Sequence, residues 1–140
     1  MAEIKAPSDA AMAVAASSLR AQQLRMRIIA ENIANADSTA STPGGDPYRK
    51  QTPVFATKML PGNIKGVAVA RVEIDQTPFR QEYDPGNPAA GTNGYVKMPN
   101  IEPMVETLDM REAQRSYDAS ISVIETARSM DQRTLDLIKR

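Results

Sequence analysis

The chain has no cysteine, no histidine and no tryptophan among its 140 residues. Without cysteine there is no disulfide framework and no thiolate nucleophile or ligand. Without histidine the commonest general base and the commonest metal ligand are both missing. A Ser-His-Asp triad is therefore impossible and no zinc or haem site is expected. Carboxylate-only chemistry, with magnesium or as an acid/base pair, stays open, although no catalytic residue or cofactor is singled out. Lys plus Arg and Asp plus Glu number 17 each, so no excess of one sign draws the whole surface to nucleic acid or an anionic membrane. With two phenylalanines and four tyrosines, aromatic platforms for single strands are hard to build. Neither a nucleic-acid partner nor membrane insertion is expected, because no run approaches the roughly 20 apolar residues that cross a bilayer. Glu3 and Asp9 stand where the basic region of a cleavable leader belongs, and no apolar stretch follows them. Any export is expected to use another route, one that a cysteine-free chain suits.

What is present is concentrated at the two ends. After Pro7, Ser8 or Asp9 is placed to cap a helix. From there Met12, Ala15, Leu19, Gln22, Met26, Ile29, Ile33 and Ala36 recur at alternating spacings of three and four. That seven-residue period keeps one seam turned toward a partner helix. Arg20, Arg25 and Arg27 lie off the seam and read as a solvated face. The helix is expected to stop near Asn35–Asp37, where Ser, Thr, Asp and Pro cluster. A second helix is expected from Asn100, with Asn100 as its cap and Pro103 in the first turn, where a missing N–H costs nothing. Its stripe is Met110, Ala113, Tyr117, Ile121, Ile124, Ala127 and Met130, extended by Leu135 and Ile138. Acidic residues early and basic residues late complement the helix dipole.

Between them the chain is broken by proline. Residues 37–50 read as a loop. Val54–Met59 and Gly66–Asp75 are candidate strands, and Phe79–Tyr83 and Tyr95–Met98 a candidate pair joined through Pro85-Gly86 and Asn93-Gly94. In the second strand Val67 and Val69 share one face, while Val72 and Ile74 share the opposite one. A face switch of that kind implies a twist or a bulge. The expected fold is mainly α with a small β region: residues 1–37 and 100–140 form a discontinuous helical coiled-coil domain, and 38–99 a small loop and β segment. A closing helix of about 50 Å is longer than so small a middle can cover, which points to packing against other molecules.

Two patterns that suggest chemistry read better as ordinary surface. Gly86, Gly91 and Gly94 lack the Lys-Ser/Thr of a phosphate loop and open no helix. Glu82 and Asp84 flank Tyr83 on a strand end and could in principle serve as acid and base, but a shared catalytic proton is not expected of them.

Asn32-Ile33-Ala34-Asn35, closing the first helix and followed by Thr42-Pro43 and then Tyr48-Arg49-Lys50, resembles the signature of bacterial flagellar rod, hook and hook-associated proteins. An insertion from about Ser38 to Pro47 separates the asparagines from Tyr48-Arg49. Pro78-Phe79-Arg80, the Tyr83–Pro88 and Gly94–Ile101 segments, and the pattern from Met110 through Ala127 are similar to a short proximal-rod member of that family. The resemblance covers nearly the whole chain.

It implies a non-enzymatic structural subunit of the flagellar basal body, in the rod that crosses the periplasm. The terminal helices would pair as a coiled coil lining a hollow shaft. The partners implied are other rod subunits, copies of the chain itself and the flagellar type III export apparatus. The residues expected to carry packing and assembly are Leu19, Met26, Ile29, Ile33, Met110, Tyr117 and Ile124, with Asn32, Ile33, Ala34 and Asn35 as the family motif. For the two asparagines a local capping role and an intersubunit contact both stand open. The alternative function is a soluble helical adaptor or an export-chaperone-like binding module.

Overall fold

The computed structural model describes residues 7–139, with elements in the order α1 (Pro7–Ala34), β1 (Gln51–Leu60), β2 (Ile64–Ile74), β3 (Arg80–Tyr83), β4 (Tyr95–Met98) and α2 (Pro103–Ile138). Two long helices with a small antiparallel β region between them are the fold class that the periodicity implies. At 1.5 Å per residue α1 is about 42 Å long and α2 about 54 Å. The helices run antiparallel: Asn32 near the end of α1 bonds Glu106 near the start of α2, and Ser18 meets Ser120 further along.

The seam between the helices is narrower and smaller than the amphipathic stripes imply. On α2 the buried residues are Glu106, Ala113, Ser120 and Ala127, one every seven residues. On α1 they are Ala15, Ser17, Ala21, Ile28, Ile29 and Asn32. Small side chains let the two backbones approach closely, and of the larger expected seam residues Ile29 is buried while the others lie at the flanks. Met12, Leu19, Gln22 and Met26 on α1, and Met110, Tyr117, Ile121 and Ile124 on α2, are accordingly half-buried. Ile33, Met130, Leu135 and Ile138 are exposed.

Both expected caps differ from the structure. α1 already includes Pro7, so Ser8 and Asp9 lie within its first turn. The residue preceding α2 is Glu102, which makes no side-chain capping bond. Asn100 is instead drawn into contacts with the β region, which offers its amide more partners than a helix terminus does.

β1 and β2 form an antiparallel hairpin that packs on α1, turning through Gly62 and Asn63, both at positive φ. Its register shifts at Val54/Phe55, which pair with Arg71 and Val69 and leave Ala70 as the extra residue. That bulge is the physical content of the face switch between Val69 and Val72. Gly66 sits where β2 approaches α1 most tightly, since a Cβ there would lie 2.7 Å from the Ser17 hydroxyl. Ser17 Oγ donates to the Val14 carbonyl at 2.7 Å and accepts the Val67 N–H at 3.1 Å, pinning the strand to the helix. β3 and β4 form the expected second pair. Val96 and Met98 join Ala89 in a small core on which Ala40 and Ala90 pack. The loop before β1 is tied to this unit by Gly44 N–H on the Ala89 carbonyl and by the Lys97–Asp46 ion pair at 2.8 Å.

A buried polar node and the open helix faces

Asn32 and Glu106 are each 1% exposed, an unusual burial for an amide and a carboxylate at the joint of two helices. Both are partnered. Asn32 Nδ2 donates to the Gln51 carbonyl at 2.8 Å and to Glu106 Oε2 at 3.0 Å. Its Oδ1 accepts the Gln51 N–H at 3.0 Å and the Tyr48 hydroxyl at 3.1 Å. Every donor and acceptor position of the amide is used. The Asn32 side chain treats Gln51 as a neighbouring strand would, and so fixes where β1 begins.

Glu106 is held from its other side by Lys50, whose Nζ lies 2.6 Å from Oε1. That nitrogen is not aligned for a hydrogen bond, so Oε1 is met by charge rather than by a directed donor. Tyr48 feels the same surroundings. Partial burial, and then the charges of Glu31 and Glu106, push its hydroxyl above the ordinary tyrosine range.

Arg49 and Lys50 are held on the opposite side as well. The Arg49 guanidinium lies 4.0 Å from the Phe79 ring centroid and donates to the carbonyls of Asp75 and Thr77. Asn100 Oδ1 accepts the Lys50 N–H at 2.9 Å, while its Nδ2 donates to Asp75 O, Thr77 O and Thr77 Oγ1. The Asp75 carboxylate accepts the Thr77 N–H, which lowers its pKa. Tyr48-Arg49-Lys50-Gln51 is thus the crossing at which α1, the hairpin and the entry to α2 are joined.

The motif residues separate in role. Asn32 is the centre of this node. Asn35 Nδ2 caps the end of α1 by donating to the Glu31 carbonyl at 2.8 Å, and the Ser38 hydroxyl donates to the Asn35 carbonyl as the chain turns. Ile33 and Ala34 face outward. Of the seven packing residues, Ile29 is buried inside the subunit, Leu19, Met26, Met110, Tyr117 and Ile124 are half-buried, and Ile33 is exposed. Sequence reasoning gives Glu106 and Lys50 no role of their own: Lys50 enters only within the family signature, and Glu106 only as one of the acidic residues early in the second helix. The seven-residue spacing of Glu106 from Ala113, Ser120 and Ala127 is the signal that sets it apart from the other early acidic residues.

Among the described residues no group of three or more His, Cys, Asp or Glu side chains could hold a metal ion, and no helix is long and apolar enough to cross a membrane. The surface feature that stands out is apolar. Val14 and Val123 border an open groove between the helices with Ala10, Ala11 and Ala119, and Met130 lines its continuation toward Pro7. Beyond that level α2 runs on with Leu135, Leu137 and Ile138 at 56%, 73% and 76% exposure.

Two family models match the chain: the flagella basal body rod protein model over residues 12–40, and the C-terminal model of the flagellar basal body rod FlgEFG proteins over residues 92–137. The chain is 49% identical over 134 residues to the flagellar basal-body rod protein FlgC of Agrobacterium fabrum, covering 95% of this chain and 96% of that one. It is 46% identical to FlgC of Salmonella typhimurium over 89% of this chain and 92% of that one. With FlgC of Borreliella burgdorferi the identity is 36%, over 90% and 94%.

Proposed function

The chain belongs to the FlgC family of flagellar basal-body rod proteins, and we propose that it builds the rod by burying, against neighbouring subunits, the apolar surface that its own fold leaves in water. Its place is the flagellar basal body, where it assembles with other rod components as a structural subunit. In the proposed arrangement segments 1–37 and 100–140, which contain the paired helices α1 and α2, form the axial core of a proximal-rod drive shaft and export channel. Residues 38–99 pack outside that core. Delivery through the flagellar type III apparatus to a periplasmic position, copies of itself among the partners, and the absence of catalysis belong to the same proposal.

The single observation that carries the reading is the exposed apolar surface along the helix pair. Val105, Leu108, Val123, Met130, Leu135 and Ile138 are all exposed on one helix, α2. A lone soluble chain gains nothing from such a surface, whereas covering each side chain in an assembly contributes roughly 1.5–3 kcal/mol. The half-buried Leu19, Met26, Met110, Tyr117 and Ile124, and the exposed Ile33, are proposed to be covered further when subunits meet. Ile29 acts from inside the subunit, holding the helices in place.

The test is to replace exposed residues, which leaves the monomer intact. Val123→Asp and Leu135→Asp are expected to keep the urea midpoint of the free protein. Both should eliminate its cofractionation with purified basal bodies and abolish swimming. Wild-type swimming by both variants contradicts the proposal.

A further inference from the structure

We infer that the Asn32–Glu106 pair is a register lock, selecting one axial alignment of α1 against α2 from several that the rest of the seam would accept. The buried positions of α2 after Glu106 are Ala113, Ser120 and Ala127, alike in size and spaced by seven. On α1, Ala11, Ser18, Arg25 and Asn32 stand at that same spacing, with the half-buried Arg25 level with Ala113. Ala11 lines the groove with Ala127, Ser18 meets Ser120, and Asn32 meets Glu106. A slide of one heptad, about 10 Å along the axis, exchanges one small residue for another at the first two contacts. Close packing therefore discriminates weakly between alignments.

The third contact does discriminate. After such a slide Asn32 faces Ala113 or the chain before α2, so Nδ2 loses its carboxylate acceptor and Lys50 loses its counter-ion. The Ser18–Ser120 contact offers little resistance, because the Ser120 hydroxyl also has the Ser116 carbonyl 3.0 Å away on its own helix. A single buried polar pair at one seam position is the device by which paired helices specify register. Here it also sets the height at which the outward apolar side chains of both helices are presented. The lock acts within one chain, whatever that chain assembles into.

Because the chain has no cysteine, introduced pairs report alignment without background. Ser18→Cys with Ser120→Cys reads the observed register, and Ser18→Cys with Ala113→Cys or with Ala127→Cys reads a heptad slip in either direction. In the full-length protein under mild oxidation, the first pair is expected to close and the slipped pairs to give at most a tenth of its yield. Adding Asn32→Leu with Glu106→Leu, an apolar replacement of a kind buried polar clusters often tolerate, is expected to raise a slipped product about tenfold. Glu106→Gln, which keeps an acceptor for Asn32, is expected to hold the parent pattern.

Glu106→Leu alone is the second variant. It leaves the Asn32 bonds to Tyr48 and Gln51 in place and is likewise expected to release the slipped product. In-register closure alone in both leucine backgrounds, with the parent's helical circular dichroism, overturns the lock and assigns register to the Asn100 contacts. Slipped products from the parent at yields like the first pair overturn it equally.

Discussion

Asn32→Ala should cost far more than Asn35→Ala, although the two asparagines lie three residues apart in one motif. Asn32 is 1% exposed and makes four hydrogen bonds, two of them to the backbone of Gln51. Truncation leaves the Gln51 N–H and C=O and one oxygen of a buried carboxylate without that partner. Each orphaned buried group costs roughly 1–3 kcal/mol. The Tyr48 hydroxyl is near enough to solvent to find water, so its loss adds little. The expected total is about 3–5 kcal/mol, a large part of the 5–15 kcal/mol typical of a domain.

Asn35 makes one bond, to the Glu31 carbonyl at a half-buried helix end, and its removal should cost about 0.5–1.5 kcal/mol. Urea unfolding followed by helical circular dichroism separates the two, since a difference of about 3 kcal/mol moves the midpoint by 1 M or more at ordinary slopes. Asn32→Asp serves as the control for shape. It keeps the acceptor for Gln51 N–H but sets a second carboxylate against Glu106, so near neutral pH it should lose at least as much as the alanine variant. Stabilities of Asn32→Ala and Asn35→Ala within about 0.5 kcal/mol of each other would refute the node as the structural centre of the fold.

Two further outcomes follow from local geometry. Gly66→Ala places a methyl 2.7 Å from Ser17 Oγ and from Leu60 Cδ1, and overpacking of this kind costs about 1–3 kcal/mol. Thermal melts that match the parent would show that the hairpin does not approach α1 so closely. Tyr48 has a folded-state pKa above its ordinary value of about 10. The folded chain therefore holds that proton while the unfolded chain releases it, so the contribution is whole below pH 10 and is lost as pH rises through the folded value. Urea midpoints taken from pH 8 to pH 11.5 should fall more steeply for the parent than for Tyr48→Phe, and parallel slopes would remove tyrosine from the account.

The extent of the two helices was legible because local rules and tertiary context agree there. Pro7 and Pro103 fit first turns, the Asn35–Asp37 cluster ends α1 within a residue or so of the expected place, and the apolar period is sustained over many turns. The bulge in β2 was legible for a similar reason. Val67 and Val69 have one parity and Val72 and Ile74 the other, so all four can share a face of the strand only if a residue is inserted, and Ala70 is that residue. Caps were less legible. Asn100 is a strong capping residue, yet its amide finds four oxygen and nitrogen partners in Lys50, Asp75 and Thr77. Those partners are 23 to 50 residues distant, and no local pattern reveals them.

The amphipathic stripes themselves were sound as periodicity and incomplete as a map of burial. A hydrophobic stripe reports which side chains avoid water in the working state, without separating those covered by the chain's own partner helix from those covered by a neighbour. Leu135 and Ile138 therefore belong to the same pattern as Ala127 although only Ala127 is buried within the subunit.

Composition and spacing alone settled that the chain carries two long helices about a short β middle, and they removed histidine and cysteine chemistry outright, because those are properties of residue type and local period. Tertiary structure alone decided that the seam is lined by Ala113, Ser120 and Ala127 rather than by the larger stripe residues, and that Asn32, Lys50 and Glu106 meet. Close approach of two backbones and the pairing of buried polar groups depend on segments up to 74 residues apart, and only folding brings their atoms within 3 Å.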